Sequence, residues 1–238
     1  MKSARGVTLE RAAFGSLALV SIDDSLQESE LEPAERAHYG TLGEVRRRTW
    51  LAGRIALRRA RCAVETAPPS AVLVGPRGAP LLPPGVAGSI AHKETIAVGI
   101  AAAAPYRLGV DVEYDRASRV DISRRVLTER ELDLRARLNE ELRARSVRVA
   151  FAVKEAIYKA IDPFCARYVG FHEVELELGE LEPGGVGVRL ALAPHPFQGG
   201  GGLTVSARWE ALESPSGEPI LIAMARAESG VSEGRDRG

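Results

Sequence analysis

The chain has 238 residues, enough for one large domain or two small ones with a sizeable hydrophobic core. Its 32 Lys and Arg residues equal its 32 Asp and Glu residues, and this zero net charge argues against a nucleic-acid-binding protein. The two cysteines and four histidines have neither zinc-site spacing nor that of a disulfide framework. No stretch reaches the roughly 18 apolar residues of a membrane span. We therefore expect a cytoplasmic protein without a membrane span.

The first half of the chain predicts strands around one long helix. A strand is expected near residues 16–22, and Thr41 with Glu44 has the spacing of a capping box at the start of the helix. Apolar residues then recur at helical spacing as far as Val64, and the opposite side of the helix carries Arg47, Arg54, Arg58 and Arg61. Beyond "APPS", "AVLVG" predicts a strand and "PRGAPLLPPG" a turn region, while "SIAHKETIAVGIAA" predicts a loop followed by a strand.

The second half predicts helices followed by hairpins. Residues 120–162 have mostly helical patterning with a break around 139–146, and the pattern changes to period two after Pro163. Alternating apolar residues on both sides of "EPGG", "QGGGG" and "SPSGE" indicate antiparallel strands. Each half thus has one long helix and a few antiparallel strands, so the predicted class is α+β. The last dozen residues predict a disordered tail.

The strand "RLGVDVEYD" carries an unusual pair of acids. Successive side chains of a strand point to opposite faces, so Asp111 and Glu113 share a face while Val110 and Val112 share the other. Two neighbouring carboxylates repel each other, and a divalent cation would convert that repulsion into binding, because Mg²⁺ prefers carboxylate oxygens. Two solvated acids on an exposed strand edge would give the same pattern.

Two further segments offer groups with suitable chemistry. In "FAVKEAIYKA", Glu155 and Lys159 lie four residues apart on one helix face. They form either an ordinary ion pair along the helix, or a functional pair in which Glu155 is a third acid beside the metal and Lys159 neutralises charge on a phosphate. Lys154 could neutralise the same phosphate charge. His92 lies in "SIAHKE", where a structural histidine is the alternative to a functional one.

Five segments together carry a resemblance to a known family: "LAGRIALRRA", "GAPLLP", "GSIAHKETIAVGIA", "LGVDVE" and "FAVKEAIYKA". In this order and spacing they resemble the 4'-phosphopantetheinyl transferases of the surfactin and enterobactin type. The similarity is closest to the enterobactin branch and covers roughly residues 40–172. It implies two similar α+β subdomains related by a pseudo-twofold, with coenzyme A between them. We expect an N-terminal half at residues 1–106, a C-terminal half with the metal site at 107–226, and the tail at 227–238.

The resemblance implies an enzyme that transfers the 4'-phosphopantetheine arm of coenzyme A to a serine of an apo peptidyl or acyl carrier protein and releases 3',5'-ADP. Such carriers belong to nonribosomal peptide, siderophore, polyketide or fatty-acid synthesis. It also implies dependence on Mg²⁺, with Mn²⁺ as the alternative, and a monomer without a nucleic-acid partner.

The resemblance also assigns roles to individual residues. Asp111, Glu113 and Glu155 would hold the metal, Glu155 would be the general base, and Lys159 would stabilise the departing diphosphate. Coenzyme A would contact a set of cationic and polar residues together with Asp111: Arg54, Arg77, Ser89, His92, Lys154 and Lys159. The remaining helix arginines would face an acidic carrier protein.

One residue departs from the family pattern. Many members have Ser or Thr before the histidine, whereas this chain has Ala91, so a hydroxyl contact is missing or is supplied by Ser89. Two alternatives to the transferase stay open. A non-catalytic relative would bind coenzyme A or carriers without turnover, and another Mg²⁺-dependent enzyme would act on nucleotides that lack the pantetheine arm.

Overall fold

The computed structural model describes residues 7–66, 69–75, 77–116, 120–178, 181–192 and 202–230. The first half forms an antiparallel sheet of four strands in the order β1-β2-β6-β5, and β3 pairs with β4 in a separate small hairpin. Its elements are β1 (Val7–Ala12), β2 (Gly15–Ser21), α1 (Pro33–Tyr39), α2 (Glu44–Cys62), β3 (Leu73–Val74), β4 (Pro80–Leu81), β5 (Val86–His92) and β6 (Ile96–Ala103). A short 3-10 helix at Glu28–Glu30 precedes α1.

The second half forms an antiparallel sheet of five strands in the order β7-β11-β10-β9-β8. Its elements are β7 (Arg107–Tyr114), α3 (Ser123–Val126), α4 (Glu129–Ala136), α5 (Glu140–Cys165), β8 (Val174–Glu177), β9 (Gly184–Leu190), β10 (Leu203–Glu213) and β11 (Pro219–Ser229), with a 3-10 helix at Phe171–Glu173. The predicted run of hairpins is therefore present.

The two halves share one connection pattern. In the first half, β2, α2, β5 and β6 follow one another along the chain, and β6 lies between β2 and β5 in the sheet. In the second, β7, α5, β10 and β11 repeat this order, with β11 between β7 and β10. The α+β class with two similar helix-on-sheet units is thus confirmed, although no sequence repeat indicates it. The division of the chain into separate domains at residue 106 stays a prediction.

A hydrophobic core joins the two sheets. It contains apolar residues of β2, β5 and β6 from one sheet and of β7 and β11 from the other, including Val98, Val110 and Val112. The helices cover the opposite faces, and glycines allow close contact there. A Cβ on Gly109 would lie 1.8 Å from the carbonyl oxygen of Ala156 in α5, and one on Gly99 would lie 2.3 Å from the backbone nitrogen of Leu57 in α2. This close packing fixes β7 against α5.

Several local predictions were wrong. The N-cap of α2 is Gly43 rather than Thr41, because the Thr41 hydroxyl donates to the carbonyl of His38 after α1. The predicted loop "SIAH" belongs to β5, which ends at His92. The break between helices lies before residue 140, since Asn139 caps α5 at its start, and α5 continues past Pro163 to Cys165.

The sequence patterns also missed strand β1. At the other end, β11 extends to Ser229, three residues into the predicted tail, and residues 231–238 lie outside the described residues. Within the described part of the chain, every helix is too short or too polar to cross a membrane.

Candidate active site

The central pair of acids lies on the face of β7 that is packed against α5. Val110 and Val112 point into the core between the sheets, so the alternation directs Asp111 and Glu113 to the other side. Lys159 of α5 reaches across to this face, where its Nζ donates to Asp111 Oδ1 at 2.7 Å and to the carbonyl of Val110 at 2.9 Å. The second carboxylate oxygen, Asp111 Oδ2, is buried and has no hydrogen-bond partner among the described residues.

Glu113 has its own cationic partner. The Nζ of Lys93 lies 2.6 Å from Glu113 Oε1, and the two side chains are 29% and 17% exposed. Burial raises the pKa of Glu113 above its usual value, although Lys93 opposes that shift. Sequence analysis did not single out Lys93; its position directly after His92 was the available signal.

Glu155 is half-buried on α5, four residues before Lys159. No hydrogen bond or ion pair joins it to another described residue, which sets it apart from Asp111 and Glu113. Burial, followed by the negative charge of Asp111, raises the pKa of Glu155 above its usual value. A small cavity of about 40 Å³ adjoins Glu155 and is also lined by Tyr158, Val169 and Phe171.

A cleft of about 1120 Å³ is lined by Lys159, the partner of Asp111, and its walls come from both helix-on-sheet units. Asp111, Glu113 and Glu155 themselves are not part of its lining. Five of the residues predicted to contact coenzyme A line it: Arg54, Arg77, Ser89, His92 and Lys159. Cationic Arg46 and Arg107 also line it, so positive charge predominates among the ionised side chains of its wall. Such a cleft attracts polyanionic ligands.

Arg54 is built into the wall of the cleft. Its side chain is 5% exposed, its Nε donates to the carbonyl of Val72 at 2.9 Å, and its guanidinium lies over the ring of Trp50. Burial lowers the pKa of Arg54 to about 10, so this residue is still cationic at neutral pH. Partial desolvation and the charges of Lys159, Arg46 and Lys93 lower the pKa of His92 and favour its neutral form.

Two residues predicted to contact coenzyme A have hydrogen-bond partners inside the protein. The Ser89 hydroxyl is buried and accepts a hydrogen bond from the backbone N–H of Val110 at 3.2 Å, so it ties β5 to β7. Lys154 is 1% exposed, and its Nζ donates to Glu131 Oε2 at 2.7 Å and to the carbonyls of Val126 and Phe171. All three N–H groups of Lys154 are thus used inside the protein, which leaves none for the expected phosphate contact.

The predicted cationic face of α2 is also largely buried. Arg61 is fully buried between Glu65 and the carbonyl of Ser70, and Arg58 pairs with buried Glu35 and the carbonyl of Glu30. These two arginines therefore stabilise the N-terminal unit and are not available to a carrier protein.

Comparison with known families identifies the chain. A model described as the 4'-phosphopantetheinyl transferase N-terminal domain matches residues 35–102, and one described as the 4'-phosphopantetheinyl transferase superfamily matches residues 107–197. The chain belongs to the 4'-phosphopantetheinyl transferase superfamily. Members of this family are enzymes that use coenzyme A to modify carrier proteins, so the predicted enzyme class is confirmed.

One curated relative agrees with that assignment. The chain is 31% identical over 179 residues to the 4'-phosphopantetheinyl transferase Npt of Nocardia iowensis. The aligned region covers 74% of this chain and 78% of the relative. A solved structure, the holo-[acyl-carrier-protein] synthase AcpS of Thermotoga maritima, aligns with 51% of this chain and 62% of its own, at 20% identity and a TM-score of 0.34.

The acids of this transferase partly fit a divalent cation. Among the described residues, no three His, Cys, Asp or Glu side chains are grouped closely enough to form a ready metal site. Asp111 and Glu113 instead pair with lysines, which partly neutralise them. However, Asp111 Oδ2 is buried without a partner and Glu155 has none, so two carboxylates are available. Mg²⁺ commonly takes one or two protein carboxylates and completes its shell with water and substrate phosphates.

Proposed function

We propose that this transferase moves the 4'-phosphopantetheine arm of coenzyme A to a serine of an apo peptidyl or acyl carrier protein, depends on Mg²⁺ and releases 3',5'-ADP. The observation that carries the proposal is the grouping of Asp111 and Glu155 around Lys159, which lines a large cationic cleft. A diphosphate with a further phosphate group is the kind of ligand that such a cleft attracts.

Asp111 and Glu155, with Glu113, would hold the divalent cation. When bound, the cation would neutralise charge on the diphosphate of coenzyme A. Asp111 already offers a buried oxygen with no partner, and Glu113 would contribute by releasing Lys93. Carboxylate oxygens suit both Mg²⁺ and Mn²⁺, and we prefer Mg²⁺ because it is the more available ion.

Glu155 would act as the general base. In the transfer, the serine Oγ bonds to the phosphorus that carries pantetheine, the bond from that phosphorus to the bridging oxygen breaks, and 3',5'-ADP leaves with the electron pair. The serine proton moves to Glu155, a half-buried carboxylate that has no hydrogen-bond or ion-pair partner among the described residues. Lys159 would stabilise negative charge on the 5'-phosphate of the departing 3',5'-ADP.

Arg54, Arg77 and His92 would bind the phosphates of coenzyme A, since all three line the cleft. Ser89 also lines the cleft, and its hydroxyl, which accepts from Val110, still has a hydrogen to donate to a phosphate. Lys154 is left out of this set because its N–H groups have partners inside the protein. We further propose that the chain is a monomer, because one chain contains both units that line the cleft. We place it in the cytoplasm because Cys62 and Cys165 are free. We place it in the enterobactin branch because of the order and spacing of its sequence motifs.

The test is intact-mass spectrometry of apo carriers from nonribosomal peptide, polyketide and fatty-acid synthesis after incubation with the protein, coenzyme A and Mg²⁺. Gain of one phosphopantetheine mass on at least one carrier is expected. Calorimetric binding of coenzyme A without a mass gain on any carrier would instead favour a non-catalytic binding protein. Turnover of nucleotides that lack the pantetheine arm would favour a different enzyme.

A further inference from the structure

An ion pair joins the two units across the cleft. Arg77 lies between β3 and β4 of the N-terminal unit, and Asp162 lies on α5 of the C-terminal unit. Arg77 Nε lies 2.9 and 3.0 Å from the two carboxylate oxygens of Asp162, and Nη2 lies 2.7 Å from Oδ1. Both residues line the cleft.

The pair fixes one edge of the guanidinium. Nη2 also donates to the Tyr158 hydroxyl at 3.3 Å, so two of the three guanidinium nitrogens have partners on α5. Nη1 has no partner among the described residues. Asp162 is 13% exposed on a rigid helix whereas Arg77 is 41% exposed on a connection between short strands, so the helix orients the arginine.

We propose that Asp162 is a positioning residue, which holds Arg77 so that Nη1 faces a phosphate group of coenzyme A in the cleft. This inference rests on the proposed function, because it takes coenzyme A as the occupant of the cleft. A guanidinium held along one edge still presents N–H donors on the other, and their planar geometry suits phosphate oxygens.

Two effects of Asp162 oppose each other. Its negative charge weakens the attraction of Arg77 for phosphate, but Arg77 is partly exposed and solvent screens that effect. Its bidentate contact also orders a long side chain before the ligand arrives, which removes an entropy cost from binding. We expect ordering to dominate, so loss of Asp162 weakens coenzyme A binding by about two- to tenfold.

The experiment measures coenzyme A binding by calorimetry and the transfer kinetics of the full chain. Asp162→Asn should raise the Kd and the KM for coenzyme A by about two- to tenfold while kcat at saturation is unchanged. Arg77→Met should have a similar effect. The double variant should bind coenzyme A no more weakly than Arg77→Met alone, because Asp162 acts on the ligand only through Arg77. Glu228→Gln, which removes the carboxylate partner of Arg226 on β11, is the matched control and should leave the Kd unchanged.

An unchanged or lower Kd in Asp162→Asn would overturn the inference, as would additive losses in the double variant. If Asp162→Asn does not fold, Arg77→Lys replaces it, since a lysine cannot form the bidentate contact; wild-type affinity in Arg77→Lys would then overturn the inference. Absence of arm transfer by the wild type would reject the proposed function, whereas transfer by the wild type together with wild-type affinity in the variants would reject only the positioning role.

Discussion

Asp111 and Lys159 form an ion pair of 2.7 Å that uses only one of the two carboxylate oxygens of Asp111. The other oxygen is buried without a partner among the described residues, and burial of an unpaired polar atom costs free energy. Functional sites tolerate such costs when a ligand later provides the missing contact. This relationship underlies the predictions for the acids on β7 and α5.

Replacement of Asp111 tests that oxygen directly. Asp111→Asn keeps the side-chain volume but removes the charge, and we expect kcat/KM to fall by about 100-fold or more. Asp115→Asn is the matched control, because Asp115 lies just beyond β7 but pairs with Arg145 and Arg148 instead. The control should lose stability and keep its response to Mg²⁺; an equal loss of activity in both variants would reject a specific role for Asp111.

Glu155→Gln should abolish transfer while it stabilises the metal-free protein. In the folded chain the pKa of Glu155 is raised above its ordinary value of 4.5, so ionisation of Glu155 lowers the free energy of unfolding. This destabilisation is absent below pH 4.5 and grows as the pH rises towards the pKa of the folded state. At pH 7 in EDTA, calorimetry should show a Tm above that of the wild type. The difference should vanish near pH 4, and a lower Tm at pH 7 would contradict this account.

Lys154→Met should act on stability rather than on ligand binding. The change leaves the buried carboxylate of Glu131 without its cation, and breaking a buried pair of this kind costs about 3–5 kcal/mol. Urea unfolding should show that loss, while calorimetry below the unfolding transition should give a wild-type Kd for coenzyme A. A raised Kd in a folded variant would return Lys154 to the binding site.

Gly109→Ala should separate β7 from α5. The new Cβ would lie 1.8 Å from the carbonyl oxygen of Ala156, so the strand must move, at a cost of about 1–3 kcal/mol or more. Because Lys159 and Asp111 meet across this contact, activity should fall as well. Gly185→Ala is the control, since its Cβ meets nothing within 4 Å. Wild-type stability in Gly109→Ala would contradict the packing argument.

The sequence predicted the parts of the site that depend on local pattern. Period-two alternation placed Asp111 and Glu113 on one face of a strand, and the hairpins of the second half followed from turn residues between alternating segments. The two helix-on-sheet units were confirmed, and they follow from the types of elements in each half. The enzyme class was also confirmed, and it follows from the order of the motifs. The roles of the individual site residues stay predictions.

The errors arose where distant elements decide the outcome. Lys154 and Arg61 have the pattern of solvent-facing cations, but they meet Glu131 and Ser70 only after the chain has folded. Thr41 has a local capping pattern, yet its hydroxyl bonds back to α1. The contact between Lys93 and Glu113 likewise joins a turn to a strand of the other unit, and no periodicity reveals it.

The most direct test of the account is a comparison of arm transfer to one apo peptidyl carrier protein by the wild type, by the wild type with EDTA, and by Asp111→Asn. Intact-mass spectrometry should show one phosphopantetheine added by the wild type with Mg²⁺, and none or a trace in the other two samples. Calorimetry should show that Asp111→Asn is folded. Equal mass gain in all three samples would contradict the proposal that Asp111 holds a divalent cation required for transfer.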